Sequence, residues 1–165
     1  MSSLKILFIY TNINGIHEET YSFGLASIVS IAKLHRYQTE VAIVKKIGDY
    51  QNLLQKVQDF GPKVIAITSV SSQFKFVKDI ASVIKKKAPG TIIVCGGVHP
   101  TLFPYCLKET DSFDGIFRGE SEYSFIEFLK KVENDQDYRG IENFCYKKDN
   151  KIVINSLKPF IGNLD

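Results

Sequence analysis

Three short runs constrain the fold of this chain more than anything else in it. Residues 5–10, then Val64-Ile65-Ala66-Ile67, then Ile92-Ile93-Val94-Cys95 are apolar almost without interruption. A strand with one face in water alternates apolar and polar side chains; a strand covered on both faces reads as a continuous run. The runs therefore predict central strands of a parallel sheet with helices on both sides. Two further strands are expected at 41–44 and 115–118.

The segments between the strands carry helical spacing. Leu25, Ile28, Val29 and Ala32 share one face, with Ser22 as cap and His35-Arg36 at the end that favours cations. Leu53, Leu54, Val57 and Phe60 form a second face, capped by Asp49 and stopped by Gly61-Pro62. Val77, Ile80, Ala81 and Ile84 form a third, ending in Lys85-Lys86-Lys87, which suits the helix dipole, before Pro89-Gly90. A short helix is expected at 103–109. A last one carries Phe125, Ile126, Leu129 and Val132 behind Ser121 as cap. Five βα units with right-handed crossovers predict a Rossmann-like, doubly wound α/β domain with a five-stranded parallel sheet. The expected strand order is 2-1-3-4-5, the flavodoxin-like arrangement, whose ligands bind beyond the C-terminal strand edge.

The tail differs. Residues 143–147 and 151–154 read as a β-hairpin around Lys148-Asp149-Asn150. Residues 156–165 read as an extended exit segment, where Pro159 argues against helix. We expect residues 1–140 to form the binding domain and 141–165 to be a hairpin and linker toward a further domain.

With 165 residues, the chain is long enough to bury a core without staples. The net charge of +3 is mild and the lysines are scattered, which argues against nucleic acid as a partner. No window approaches a membrane span and no signal-peptide pattern opens the chain, so a cytoplasmic location is expected. Cys95, Cys106 and Cys145 are odd in number and widely spaced, which suits neither a disulfide framework nor a metal quartet. No residue is marked as catalytic.

Function in such a fold rests on the strand ends. Thr11, Asn12, Asn14, Gly15 and His17 follow the first strand; Ser69, Val70, Ser71 and Ser72 follow the third. Gly96, Gly97, Val98 and His99 follow the fourth; Arg118, Gly119 and Glu120 follow the fifth. The set is rich in small residues, hydroxyls and exposed backbone and poor in paired acids. It suits a large ligand held by shape and neutral hydrogen bonds better than acid–base chemistry. A phosphoacceptor site would need acids where Thr68-Ser69 and Thr11-Asn12 stand. A dinucleotide site would need G-x-G-x-x-G where Gly15 stands alone. A flavin mononucleotide carrier, with 11–15 as a thin phosphate loop, and a cofactor-free interaction domain stay open at this point.

Two motifs go further. Gly96-Gly97-Val98-His99-Pro100-Thr101 and Phe117-Arg118-Gly119-Glu120-Ser121-Glu122, behind Val64-Ile65-Ala66-Ile67-Thr68-Ser69, resemble the cobalamin-binding domains of radical S-adenosylmethionine enzymes. That family includes the anaerobic magnesium-protoporphyrin monomethyl ester cyclase and cobalamin-dependent methylases. The similarity extends along the chain, from Tyr21-Ser22-Phe23-Gly24-Leu25 to Pro159-Phe160-Ile161-Gly162. It implies cobalamin as cofactor, bound by Thr11, Asn12, Asn14, Gly15, Ser69, Val70, Ser71, Gly96, Gly97, Val98, His99, Gly119 and Glu120. It implies a C-terminal radical S-adenosylmethionine domain in the same protein, with a [4Fe-4S] cluster and S-adenosylmethionine; the C-x-x-x-C-x-x-C motif of that domain is absent from this sequence. Members with a histidine below the cobalt carry Asp-x-His-x-x-Gly. His17 has Gly15 in place of the Asp, which argues against His17 as a cobalt ligand.

Overall fold

The computed structural model describes residues 4–15 and 22–159. Strands β1 (Lys5–Thr11), β2 (Gln38–Val44), β3 (Val64–Thr68), β4 (Ile92–Gly96) and β5 (Gly115–Phe117) run parallel. Strands β6 (Phe144–Lys148) and β7 (Lys151–Ile154) form the expected hairpin. The order across the sheet is β2-β1-β3-β4-β5-β6-β7. The five parallel strands thus take the order 2-1-3-4-5. The hairpin extends the same sheet: β6 pairs antiparallel with β5 through Ile116 to Cys145 and Phe117 to Phe144, which makes seven strands rather than five.

Helices α1 (Phe23–Leu34), α2 (Tyr50–Phe60), α3 (Phe74–Lys87), α4 (Val98–Leu102) and α5 (Glu122–Glu133) complete the chain. The two-residue period of a strand explains the continuous apolar runs. Ile6, Phe8, Val64, Ala66 and Val94 face one layer, with Val29 and Ala32 of α1 and Phe125, Phe128 and Leu129 of α5. Leu7, Ile9, Ile65, Ile67, Ile93 and Cys95 face the other, with Leu53 and Val57 of α2 and Val77, Ile80 and Ile84 of α3.

Several local expectations are corrected. β2 begins at Gln38, earlier than expected, because Gln38, Thr39 and Glu40 pair in register with Lys5, Ile6 and Leu7 at the sheet edge, where polar side chains are tolerated. Ser22, by contrast, caps α1 as expected, its hydroxyl accepting from the Leu25 N–H at 3.3 Å. Asp49 does not cap α2; its carboxylate accepts from the N–H groups of Lys45 and Lys46 at 3.0 and 3.1 Å, closing the turn before the helix. Ser121 occupies the N-cap of α5, yet its hydroxyl donates backward to the Arg118 and Gly119 carbonyls. Residues 98–102, where no helix was expected, form α4. Pro100 fits there because the first turn of a helix needs no N–H from it. Among the described residues no helix is long and apolar enough to cross a membrane.

Candidate functional site

The ends of β3 and β4 are stitched together by backbone. The Ser69 N–H donates to the Gly96 carbonyl at 2.9 Å, and the His99 N–H donates to the Ser69 carbonyl at 3.1 Å. Gly97 makes this possible with φ of 98°, a conformation that disfavours any side chain. Gly96 differs: a Cβ built there meets nothing within 4 Å.

The space beside Gly96 is a slot of about 240 Å³ between the sheet and helices α1 and α5. Phe8, Ala66 and Val94 form its floor, in register across three strands. Ala66 and Val94 lie two residues back from their strand ends and Phe8 three, so the slot is about 7 Å deep over β3 and β4 at roughly 3.3 Å per residue. Leu25 and Ile28 of α1 and Phe117 and Phe125 wall it. Gly96, Gly97, Gly119, Glu120, Ser121 and Glu122 form the rim. An apolar floor under a polar rim suits a ligand with a hydrophobic buried end and a polar outer part.

Thr68 also borders a second cleft of about 640 Å³, lined by Thr11, Asn12, Asn14 and Gly15 after β1 and by Ser69 and Val70 after β3. Gln73 holds the first of these loops. Its side-chain amide, 8% exposed, accepts from the Ile13 N–H at 2.9 Å and donates to the Ile13 carbonyl at 3.0 Å.

Ser71, Val98 and His99 border neither space. The His99 Nδ1 lies 3.1 Å from the Ser71 hydroxyl, and its ring lies on Phe74 with centroids 4.1 Å apart. Burial holds this imidazole below its ordinary pKa, against a smaller opposing pull from Glu109. The structure therefore brings most of the expected residues into two adjoining spaces and sets these three beside them. His17 lies outside the described residues.

Unpaired polar atoms mark the same edge. Among the described residues, the buried side-chain atoms without a hydrogen-bond partner are Thr11 Oγ1, Tyr50 Oη, His99 Nε2, Arg118 Nε and Glu122 Oε2. Each stands at, or shortly after, the C-terminal end of a parallel strand. Buried polar atoms are nearly always satisfied in folded proteins, so this concentration points to a ligand edge.

A family model of the B12 binding domain matches residues 12–129. This chain belongs to that family.

The B12-binding domain is 25% identical over 146 residues to an uncharacterised methyltransferase of Pyrococcus horikoshii, covering 86% of this chain and 31% of that protein. It is 27% identical over 116 residues to the anaerobic magnesium-protoporphyrin IX monomethyl ester cyclase of Synechocystis, covering 68% of this chain and 23% of that protein. Its fold is similar to that of the radical S-adenosylmethionine methyltransferase TsrM from Kitasatospora setae, solved with cobalamin and a [4Fe-4S] cluster bound. That match has a TM-score of 0.78 and 14% identity, covering 98% of this chain and 30% of TsrM. The B12-binding domain thus spans less than a third of the length of each of these proteins.

The slot's floor and walls were not among the expected residues. Ala66 carried a signal, being the one small side chain in the run Val64-Ile65-Ala66-Ile67, and Gly24 at the start of α1 carried another. Asn143 carried none. It is 1% exposed and its Nδ2 donates to the Arg118 and Glu120 carbonyls at 2.8 and 3.2 Å. Its Oδ1 accepts from the Ser124 hydroxyl at 3.2 Å and the Lys158 N–H at 3.0 Å. Asn143 thereby fastens the slot's rim to the base of the hairpin. The Gly119 N–H is tied to α4 by donation to Thr101 Oγ1 at 3.0 Å.

The three cysteines of the B12-binding domain are fully buried. Burial raises the Cys95 thiol far above its ordinary range and pushes Cys106 up to about 11. Thiols held protonated in this way are poor nucleophiles.

Proposed function

We propose that this domain binds cobalamin, with the nucleotide base in the slot and the corrin ring over the rim, and presents it to a radical S-adenosylmethionine domain of a longer protein. The observation that carries this reading is the open space over Gly96, floored by Phe8, Ala66 and Val94. The residues fit the cofactor: the floor is apolar enough for an aromatic base, and two of the unpaired polar atoms, Thr11 Oγ1 at the second cleft and Glu122 Oε2 at the slot, border the spaces a ligand would fill. Gly96 and Gly97 leave room for the nucleotide, and Gly119 and Glu120 border its entrance. Thr11, Asn12, Asn14, Gly15, Ser69 and Val70 offer hydroxyl, amide and backbone groups to the corrin side chains. Ser71 and, at the start of α4, Val98 and His99 stand next to these two spaces, within reach of the outer edge of a large ring.

Bound cobalamin supplies a cobalt centre able to carry a methyl group or exchange electrons. The protein's part is to bind, orient and shield it. The relatives, a radical methyltransferase and a cyclase among them, support methyl transfer or oxidative cyclisation by the whole protein, with a [4Fe-4S] cluster and S-adenosylmethionine. Their greater length supports a C-terminal catalytic domain, with residues 1–140 as the binding unit and 141–165 as the connection to it.

Titration with hydroxocobalamin, followed by visible spectrum and calorimetry, tests the reading. Saturable one-to-one binding is expected, lost in Gly96→Leu, whose side chain would fill the slot without straining the backbone. The spectrum of the bound cofactor is expected to be the same in His17→Ala. Absence of binding by this chain and by the longer protein alike would overturn the proposal.

A further inference from the structure

We infer that Glu122 holds a hydroxyl group of the ligand's sugar at the mouth of the slot, and so selects corrinoids that carry a nucleotide over those that lack one. The inference rests on the cobalamin reading above and adds to it the group that recognises the tail.

Glu122 is the first residue of α5. Its Oε1 accepts from the Ser27 hydroxyl of α1 at 2.9 Å, which fixes the carboxylate between the two helices that wall the slot. Its Oε2 is buried and has no partner. Of the residues with such an orphaned atom among those described, Glu122 alone borders the slot; Thr11, Tyr50, His99 and Arg118 do not.

A carboxylate oxygen can only accept, so whatever satisfies Oε2 must donate. The height of Glu122 in the slot narrows the choice. The floor of Phe8, Ala66 and Val94 offers nothing polar, whereas Glu122 stands at the rim with Gly119 and Glu120. A dimethylbenzimidazole base on the floor has methyl groups and a ring nitrogen that accepts, but no donor. The next group outward along the nucleotide is the ribose, and its hydroxyl donates. An apolar floor with a carboxylate above it is thus matched to a base joined to a sugar. A charge-assisted hydrogen bond at a partly dry site is among the stronger polar contacts a protein makes.

The test compares cobalamin with cobinamide, the corrinoid without nucleotide, on three forms of the chain. Glu122→Gln keeps a carbonyl oxygen for Ser27 and puts an amide N–H₂ where the free acceptor stands. Ser27→Ala breaks the bridge between α1 and α5 but leaves the acceptor. In Glu122→Gln the Kd for cobalamin is expected to rise about ten- to a hundredfold, while that for cobinamide stays the same. In Ser27→Ala both are expected to stay within about threefold of wild type. Equal weakening of both corrinoids by Glu122→Gln, no weakening of either, or an equal loss in Ser27→Ala would overturn the role of Glu122. Any of these leaves cobalamin binding itself standing. Failure of the wild-type chain to bind either corrinoid would instead sink the cobalamin reading, and this inference with it.

Discussion

A Cβ on Gly97 would lie 2.7 Å from the carbonyl oxygen of Ser69 and 2.9 Å from its nitrogen. The two residues touch backbone to backbone, and the contact joins the ends of β3 and β4. Gly97→Ala is therefore expected to destabilise the fold by roughly 2–3 kcal/mol, from both the close approach and the positive φ. Gly96→Leu, one residue away, is expected to unfold close to wild type in denaturant while losing cobalamin. If Gly97→Ala unfolds like wild type, the backbone contact does not hold these strand ends together.

Asn143 joins the rim to the hairpin through its buried amide. Asn143→Leu leaves the Arg118 and Glu120 carbonyls and the Ser124 hydroxyl without the amide, and puts a bulkier side chain on a backbone with φ of 66°. A loss of about 3 kcal/mol is expected in chemical denaturation, since buried groups deprived of partners carry their full desolvation cost. An unchanged unfolding midpoint would show that these groups find other partners.

Gln73 and Ile13 are sixty residues apart yet share two hydrogen bonds. In Gln73→Leu, amide hydrogen exchange at Ile13 is expected to speed up strongly while the central amides of α3 stay protected. Cobalamin affinity should fall with it, because the same loop presents Asn12, Asn14 and Gly15 to the second cleft. Slow exchange at Ile13 in this variant would assign the order of the loop to other contacts.

His99 supplies a pH dependence whose sign follows from its surroundings. Burial against Phe74 lowers its pKa below the ordinary 6.5 in the folded chain. Between the folded value and 6.5 the unfolded chain binds more protons, so stability rises with pH across that window. The contribution is complete above 6.5 and is lost as pH falls through the folded value. Unfolding curves recorded from mildly acidic to neutral pH should show this slope in wild type and a flatter one in His99→Gln. Equal slopes would mean that the ring is solvated.

The strands were legible because each central run is apolar on both faces, and a parallel sheet between two helical layers is the economical way to cover them. The glycines after β4 were legible as a ligand edge because paired glycines after an apolar strand rarely serve to build a core; the fold divides their roles, Gly97 making the backbone contact with Ser69 and Gly96 leaving the slot open. What escaped was whatever depends on a partner far along the chain. Asn143 reads as an ordinary turn residue until the hairpin folds against 118–120. Val98-His99-Pro100 reads as a turn until the backbone of Ser69 receives the His99 N–H and starts a helix there.

The elements and their two layers follow from periods of two and 3.6 residues, which any short window of the sequence contains, and the order of the parallel strands and the ligand edge from how successive βα units wind. The slot itself does not. Ala66 lies on the floor only because register sets it between Phe8 and Val94, and the carboxylate of Glu122 is held between α1 and α5 only because Ser27 of another helix donates to it. Patterning records which side of an element is buried. A cavity is the volume that distant side chains leave unfilled, and only their packing in three dimensions determines it.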